Sequence, residues 1–284
     1  MSDMRNGIKI GAVAWGLPGG GCFAPMIASL AGLEGIQLEL GSYEEGYPLS
    51  QNEIIRGYKE CRNKYHIEYP AIVLNDVMEH EFINGKSTEN GKIAYEQIEL
   101  GIEVADKLGI TKIMIPNFIK NLITESSHIE NTIQFLIFAC DIAEKKSIDI
   151  LTENALDWKK QREVIRAVGK SNLLVHFDTQ NFKYNFNMDQ CEQLENLYDL
   201  LDNQLHTKDG VDSPGGCLLG EGNTDFYKQM DFLSKHNYQG WIIIENYYNR
   251  SPLRENDKEN NQMQLLLKDI KTINKCFATV QPIL

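Results

Sequence analysis

The chain has 284 residues, 42% hydrophobic and 24% charged, with a formal net charge of −12. That length admits one large α/β barrel or two smaller domains, and the composition is that of an ordinary soluble globular protein. The acidic balance excludes a basic nucleic-acid surface, and no apolar run reaches the roughly 20 residues of a membrane span. The six cysteines (Cys22, Cys61, Cys140, Cys191, Cys217 and Cys276) include no Cys-x-x-Cys pair, which favours reduced thiols over a disulfide framework or a thiolate zinc site. The N-terminal residues run almost directly into a strand and lack a signal-peptide core, so the expected location is the cytoplasm.

Short apolar runs alternate with longer amphipathic ones from one end to the other. Ile8–Ala14 reads as a strand and is followed by a short, weak helical segment, Pro25–Leu33. Gly35–Leu40 is the second strand, after which Ser50–Gln51–Asn52–Glu53 has the pattern of a capping box. Ala71–Leu74 is the third. The helix after it, Lys92–Leu108, carries Ile93, Ala94, Ile98, Ile102 and Ala105 near helical spacing and is closed by Gly109. Lys112–Pro116 precedes a second capping-box pattern, Ser127–His128–Ile129–Glu130, and the helical stretch Gln134–Lys145. Ile148–Thr152, Leu173–Asp178, Gln204–Thr207 and Gly240–Glu245 are the remaining strands, each followed by a helix: Asp157–Val168, Met188–Leu201, Thr224–His236 and Glu259–Phe277. Valine and isoleucine dominate several strands and alternation is weak, as in parallel strands buried on both faces. Eight strand–helix units predict a single α/β domain over residues 1–284, a (β/α)₈ TIM barrel. An open doubly wound sheet is the alternative, but no Gly-x-Gly-x-x-Gly follows the first strand.

Four of these runs carry a polar, chargeable residue at or next to their C-terminal end: Glu153, Asp178, His206 and Glu245. A charge at the end of a buried strand is expensive unless a counter-charge or a metal meets it. In a (β/α)₈ barrel the C-terminal strand ends surround one mouth, so residues from strands five to eight converge there. Each alone reads more simply as a cap, a surface group or a structural histidine; together they form a shell for a divalent cation. Three carboxylates and one imidazole suit Mn²⁺ first, then Mg²⁺ or Co²⁺, with Zn²⁺ also possible.

The strand-end set, the motif His206–Thr207–Lys208–Asp209, and the loop Leu219–Gly220–Glu221–Gly222–Asn223–Thr224–Asp225–Phe226 together resemble the xylose-isomerase-like barrel superfamily over nearly the whole chain. The resemblance implies a metal-dependent sugar or sugar-phosphate isomerase or epimerase. It implies proton transfer through a metal-stabilised enediolate, with Glu153 and Glu245 both ligands and proton carriers and Asp178 and His206 ligands only. It equally admits a metal-dependent lyase or dehydratase, including C-glycoside-cleaving enzymes that work with a small second subunit, and it implies a homo-oligomer acting on a small carbohydrate. One departure stands out: many ketose 3-epimerases of this group have a histidine three residues after the sixth-strand aspartate, where this chain has Asn181.

Further candidates are open to two readings. Trp15 offers a sugar-stacking face or a packing residue. His176, in phase with Asp178 on its strand, orients a ligand carboxylate or makes a buried structural hydrogen bond. Asn181 hydrogen-bonds a substrate hydroxyl, and Lys208 reaches a substrate oxygen or phosphate or forms a surface salt bridge to Asp209. Glu39 reads as a structural hydrogen bond before a substrate contact. Gly19–Gly20–Gly21 and Gly215–Gly216 read as turns before phosphate cradles, and Arg250 supports a phosphate only if it points inward. A glycoside hydrolase would also use paired carboxylates, but barrel glycosidases of the large retaining clan carry them after strands four and seven, where this chain has Pro116–Asn117–Phe118 and His206. The related abasic-site endonucleases need a histidine-rich cluster and a basic face that this acidic chain lacks. A non-catalytic sugar-binding subunit is a third rival, against which the complete ligand set argues.

Overall fold

The computed structural model describes residues 7–256 and 261–278. Eight strands, β1 (Ile8–Val13), β2 (Gly35–Glu39), β3 (Ile72–Val73), β4 (Lys112–Pro116), β5 (Asp149–Glu153), β6 (Leu173–Asp178), β7 (Leu201–Thr207) and β8 (Gly240–Ile244), follow one another in order round a closed barrel. The pairings that close its seam are parallel: β1 pairs with β8 from Ile8↔Gly240 to Ala12↔Ile244, and β7 with β8 from Gln204↔Trp241 to Thr207↔Ile244. Helices α1 (Ala24–Ala31), α2 (Asn52–Tyr65), α3 (Glu89–Leu108), α4 (Ser126–Glu144), α5 (Trp158–Val168), α6 (Asn181–Phe186), α7 (Gln190–Leu197), α8 (Phe226–Lys235), α9 (Leu253–Asn256) and α10 (Gln262–Cys276) occupy the connections. This is the (β/α)₈ class expected from the alternation of short and long apolar segments.

Two compact units can be distinguished. One comprises Met1–Ile36, Phe177–Tyr198 and Asn203–Leu284, and the other Gln37–His176 and Asp199–Asp202. In the second unit the apolar phase of α3 turns Ala94, Ile98, Ile102 and Ala105 inward, all buried. Gly101 lies in the same helix where a side-chain carbon would sit 2.9 Å from Leu74 Cδ2, so a larger residue there would push the Leu74 side chain aside. Phe82 stacks on Phe135 of α4 with ring centroids 4.1 Å apart, and Tyr95 meets Phe135 edge-on. Lys112 and Asp202, both partly or fully shielded from water, form an ion pair in this unit. In the first unit, Val13, Trp241 and Ile243 form one core cluster, while Ile242 and Ile244, of opposite strand parity, are also buried.

Local details depart from the expected boundaries. Neither predicted capping box forms: Ser50 ends a 3₁₀ turn, Pro48–Ser50, and α2 starts after Gln51 without a side-chain cap. Ser127 lies inside the first turn of α4, where its hydroxyl donates to Glu125. The helix expected over Met188–Leu201 stops at Leu197, winds through a 3₁₀ turn, and yields to β7 at Leu201. Of the last predicted helix, Glu259 and Asn260 lie outside the described residues. A true capping box opens α10, with Asn261 Oδ1 accepting from Gln264 N at 3.0 Å and Gln264 Oε1 from Asn261 N at 2.8 Å. Replacing Asn261 with Ala should cost about 1 kcal/mol in denaturant unfolding while leaving substrate turnover unchanged.

Candidate active site

The strand-end candidates occupy the following positions. Asp178 closes β6, His206 lies one residue before the end of β7, and Glu245 follows β8, its N–H still donating to Thr207 O at 2.9 Å. Glu153 closes β5, and all four are buried. Asp178, His206 and Glu245 lie together in the first unit, with His206 Nδ1 3.2 Å from Glu245 Oε2 and one ammonium, that of Lys208, within 3.2 Å of both carboxylates. Two carboxylates and an imidazole, shielded from water, are a hard oxygen and nitrogen donor set that fits a divalent cation.

Glu245, expected as the fourth ligand, directs its Oε2 at two partners, His206 and Lys208. His206 Nδ1 is 3.2 Å from that oxygen and Lys208 Nζ is 2.5 Å from it. The same ammonium is 3.2 Å from Asp178 Oδ2. Lys208 is thus a buried member of the site, which corrects the alternative of a surface salt bridge to Asp209. Asp178 divides its work between two oxygens: Oδ1 accepts from Gln180 N at 2.7 Å and Asn181 N at 2.8 Å, leaving Oδ2 for cations.

The charges respond accordingly. Burial pushes the Asp178 carboxyl above its ordinary range, with Glu245 adding to the rise and Lys208 and His206 opposing it. Burial also works against the Glu245 anion, but Lys208 and His206 more than reverse this and hold it well below the usual carboxylate range. Tyr247, two residues on, has its phenol pushed up to about 12 by the charge of Glu245 and then by burial.

Asp209 has a different task. Its Oδ2 accepts from Gly220 N at 2.9 Å and Gly222 N at 3.0 Å, and its Oδ1 from Gly210 N and Thr224 Oγ1, each at 2.9 Å. A side-chain carbon on Gly222 would fall 2.1 Å from Asp209 Oδ1, so the second glycine of the loop motif is there to let this backbone approach. Asp209 N in turn donates to Asn246 Oδ1 at 3.1 Å, and Asn246 Nδ2 donates to Asp269 Oδ2 at 2.7 Å. Asp269, buried on α10, also accepts from Leu219 N and Tyr248 Oη. This chain of hydrogen bonds ties the residues next to Lys208 and Glu245 to one helix.

The remaining candidates fall as follows. Trp15 lies in a 3₁₀ turn after β1, partly buried against Val13, Trp241 and Ile243. His176 is buried two residues before Asp178 on β6. Asn181 begins α6, largely buried. Glu39 accepts from Asn75 Nδ2 at 3.0 Å, the structural hydrogen bond favoured for it. Gly215 N donates to Gln180 Oε1 and Gly215 O accepts from Tyr247 N, so this glycine run is a packed turn. Arg250 lies over the Tyr247 ring, 4.7 Å from its centroid. Sequence reasoning missed Asn246, Tyr247 and Asp269; the position of Asn246 directly after a strand-end glutamate was the one available signal.

The family model for the xylose isomerase-like TIM barrel matches residues 26–272. The chain belongs to this family. It is 24% identical over 218 residues to a 2-epi-5-epi-valiolone 7-phosphate 2-epimerase from an Actinoplanes species, covering 75% of this chain and 77% of that protein. In three dimensions it resembles a D-allulose 3-epimerase from a Methylomonas species, with a TM-score of 0.72, 19% identity, and 95% and 98% of the two chains covered. It also resembles a xylose isomerase-like TIM barrel protein from Mycobacterium smegmatis in complex with magnesium, with a TM-score of 0.69, 14% identity, and 95% and 96% coverage. Among the described residues no helix is long and apolar enough to cross a membrane.

Burial raises the Asp269 carboxyl to about 7, against the pull of its hydrogen-bond donors. A native carboxyl titrating above its unfolded counterpart retains a proton that the unfolded chain has lost. Stability therefore falls as pH rises between the two values. The difference in unfolding free energy between wild type and Asp269→Asn should shrink as pH rises from about 4 to about 7, measured by urea titration at each pH.

Proposed function

We propose that the chain is a divalent-metal-dependent epimerase or isomerase of a ketose or a sugar phosphate, working by proton transfer at a carbon next to a carbonyl. The observation that carries this reading is the grouping of Asp178, His206 and Glu245 at neighbouring strand ends, with His206 Nδ1 3.2 Å from Glu245 Oε2 and one cationic group, Lys208 Nζ, within 3.2 Å of both carboxylates. Support also comes from relatives whose named activities are epimerisations and from a structural neighbour that holds magnesium. Glu153, Asp178 and His206 would hold the ion, with Glu245 as a fourth ligand, and Mn²⁺ is the ion proposed for this oxygen-rich set. When bound, such an ion supplies Lewis acidity that makes the C–H between carbonyl and hydroxyl more acidic.

The protein's own groups do the rest. Lys208 and His206 hold Glu245 as an anion, and it is the proposed proton acceptor. Glu153 is the second proton carrier, and return of the proton to the other face of the same carbon inverts it. Trp15 presents an apolar surface to the sugar, while His176 and Asn181 orient hydroxyls and the ligand carboxylates. The small-molecule carbohydrate is the proposed partner, in a homo-oligomer, and the six free cysteines favour a reducing cytoplasm as the place of work.

The test is a panel of sugars and sugar phosphates incubated in deuterated water with Mn²⁺, read by mass spectrometry. Wild type should wash deuterium into one substrate and produce its epimer or isomer. Glu153→Gln and Glu245→Gln should keep the fold and slow exchange by at least about 100-fold. Wild-type exchange persisting in both variants would contradict the assignment. Loss of water from the substrate in place of inversion would make the enzyme a lyase.

A further inference from the structure

We propose that Lys208 is a displaceable counter-cation of the metal site: its ammonium holds the Asp178 and Glu245 oxygens that a divalent ion needs, and ion entry drives it off them. The proposal rests on the metal-dependent reading above and concerns this chain's own lysine.

The geometry leaves a cation one oxygen of Asp178. Asp178 Oδ1 is committed to two backbone amides, those of Gln180 and Asn181, so Oδ2 is the oxygen available for a positive charge. Lys208 Nζ lies 3.2 Å from that Oδ2 and 2.5 Å from Glu245 Oε2. An ammonium donates its hydrogens into the lone pairs that a metal ion would take, and two positive charges on one pair of oxygens repel each other. His206, whose Nδ1 is 3.2 Å from the same Glu245 oxygen, can remain as a neutral donor. Lys208 cannot do so while it stays charged.

The surroundings confine any rearrangement to the side chain. Lys208 N donates to Thr179 Oγ1 at 3.0 Å, and Thr179 Oγ1 donates to Lys208 O at 2.7 Å, so one threonine grips both main-chain groups. The following residue, Asp209, is fixed by four donors from the loop up to Thr224. What can move is the flexible four-carbon stem, which swings an ammonium without disturbing the strand end. Ion binding and lysine release are therefore one exchange. It partly offsets the charge of the two buried carboxylates before the ion arrives and presents a cationic donor to a substrate oxygen once the ion is in place.

The direct measurement is Mn²⁺ affinity by titration calorimetry for wild type and Lys208→Met, whose stem fills the same space without charge. The exchange predicts at least tenfold tighter binding by the variant, together with a lower melting temperature without metal and a larger rise on adding it. Equal or weaker affinity in Lys208→Met overturns the proposal alone. Failure of both proteins to take up Mn²⁺ overturns the metal reading as well. A second measurement needs no variant: trinitrobenzenesulfonate labelling of Lys208, mapped by mass spectrometry, should accelerate when Mn²⁺ is added to wild type. An unchanged or slower rate counts against displacement.

Discussion

Carboxylates at the ends of buried parallel strands lose the water that would stabilise their charge, and effective desolvation costs are several kcal/mol per ion. Asp178 and Glu245 are both in this position, 1% and 8% exposed. The structure answers with directed partners: two amides on one oxygen of Asp178, and Lys208 with His206 on one oxygen of Glu245. Lys208 also reaches the other oxygen of Asp178, so one ammonium serves both anions. Much of what surrounds the site can be understood as holding that arrangement in place.

Asp209 is the clearest case. It follows the lysine and collects two amides and a hydroxyl of the loop into α8. Asn246 follows Glu245 and bridges Asp209 N to Asp269 on α10. The two residues that carry opposite charges, Lys208 and Glu245, are therefore each backed by a neighbour in one hydrogen-bonded series. Such a series holds the main chain of the two strand ends in place, and catalytic groups need this kind of support from outside their own contacts.

The barrel was legible in the sequence, and the strand-end residues could be picked out as candidates, because both follow local rules. Buried parallel strands read as short apolar runs, and a charged residue ending such a run stands out without knowledge of its partners. What was not legible depended on contacts between residues far apart in the chain. Asp269 looks like any helical aspartate until Leu219, Asn246 and Tyr248 are brought to it. Lys208 admitted a substrate-facing or a surface reading, because its proximity to Glu245 spans 37 residues and depends on the pairing of β7 with β8. The helix starts failed for a local reason: Ser50 and Ser127 fit the capping pattern, but backbone turns had already begun around them.

The central claim is that these strand-end residues form a cation site, and anomalous scattering from a crystal grown with Mn²⁺ tests it most directly. The account predicts one strong manganese peak in contact with Glu153, Asp178 Oδ2, His206 and Glu245, with Lys208 Nζ moved away from both carboxylates. Manganese found elsewhere, or absent while Lys208 still bridges Asp178 and Glu245, would contradict it.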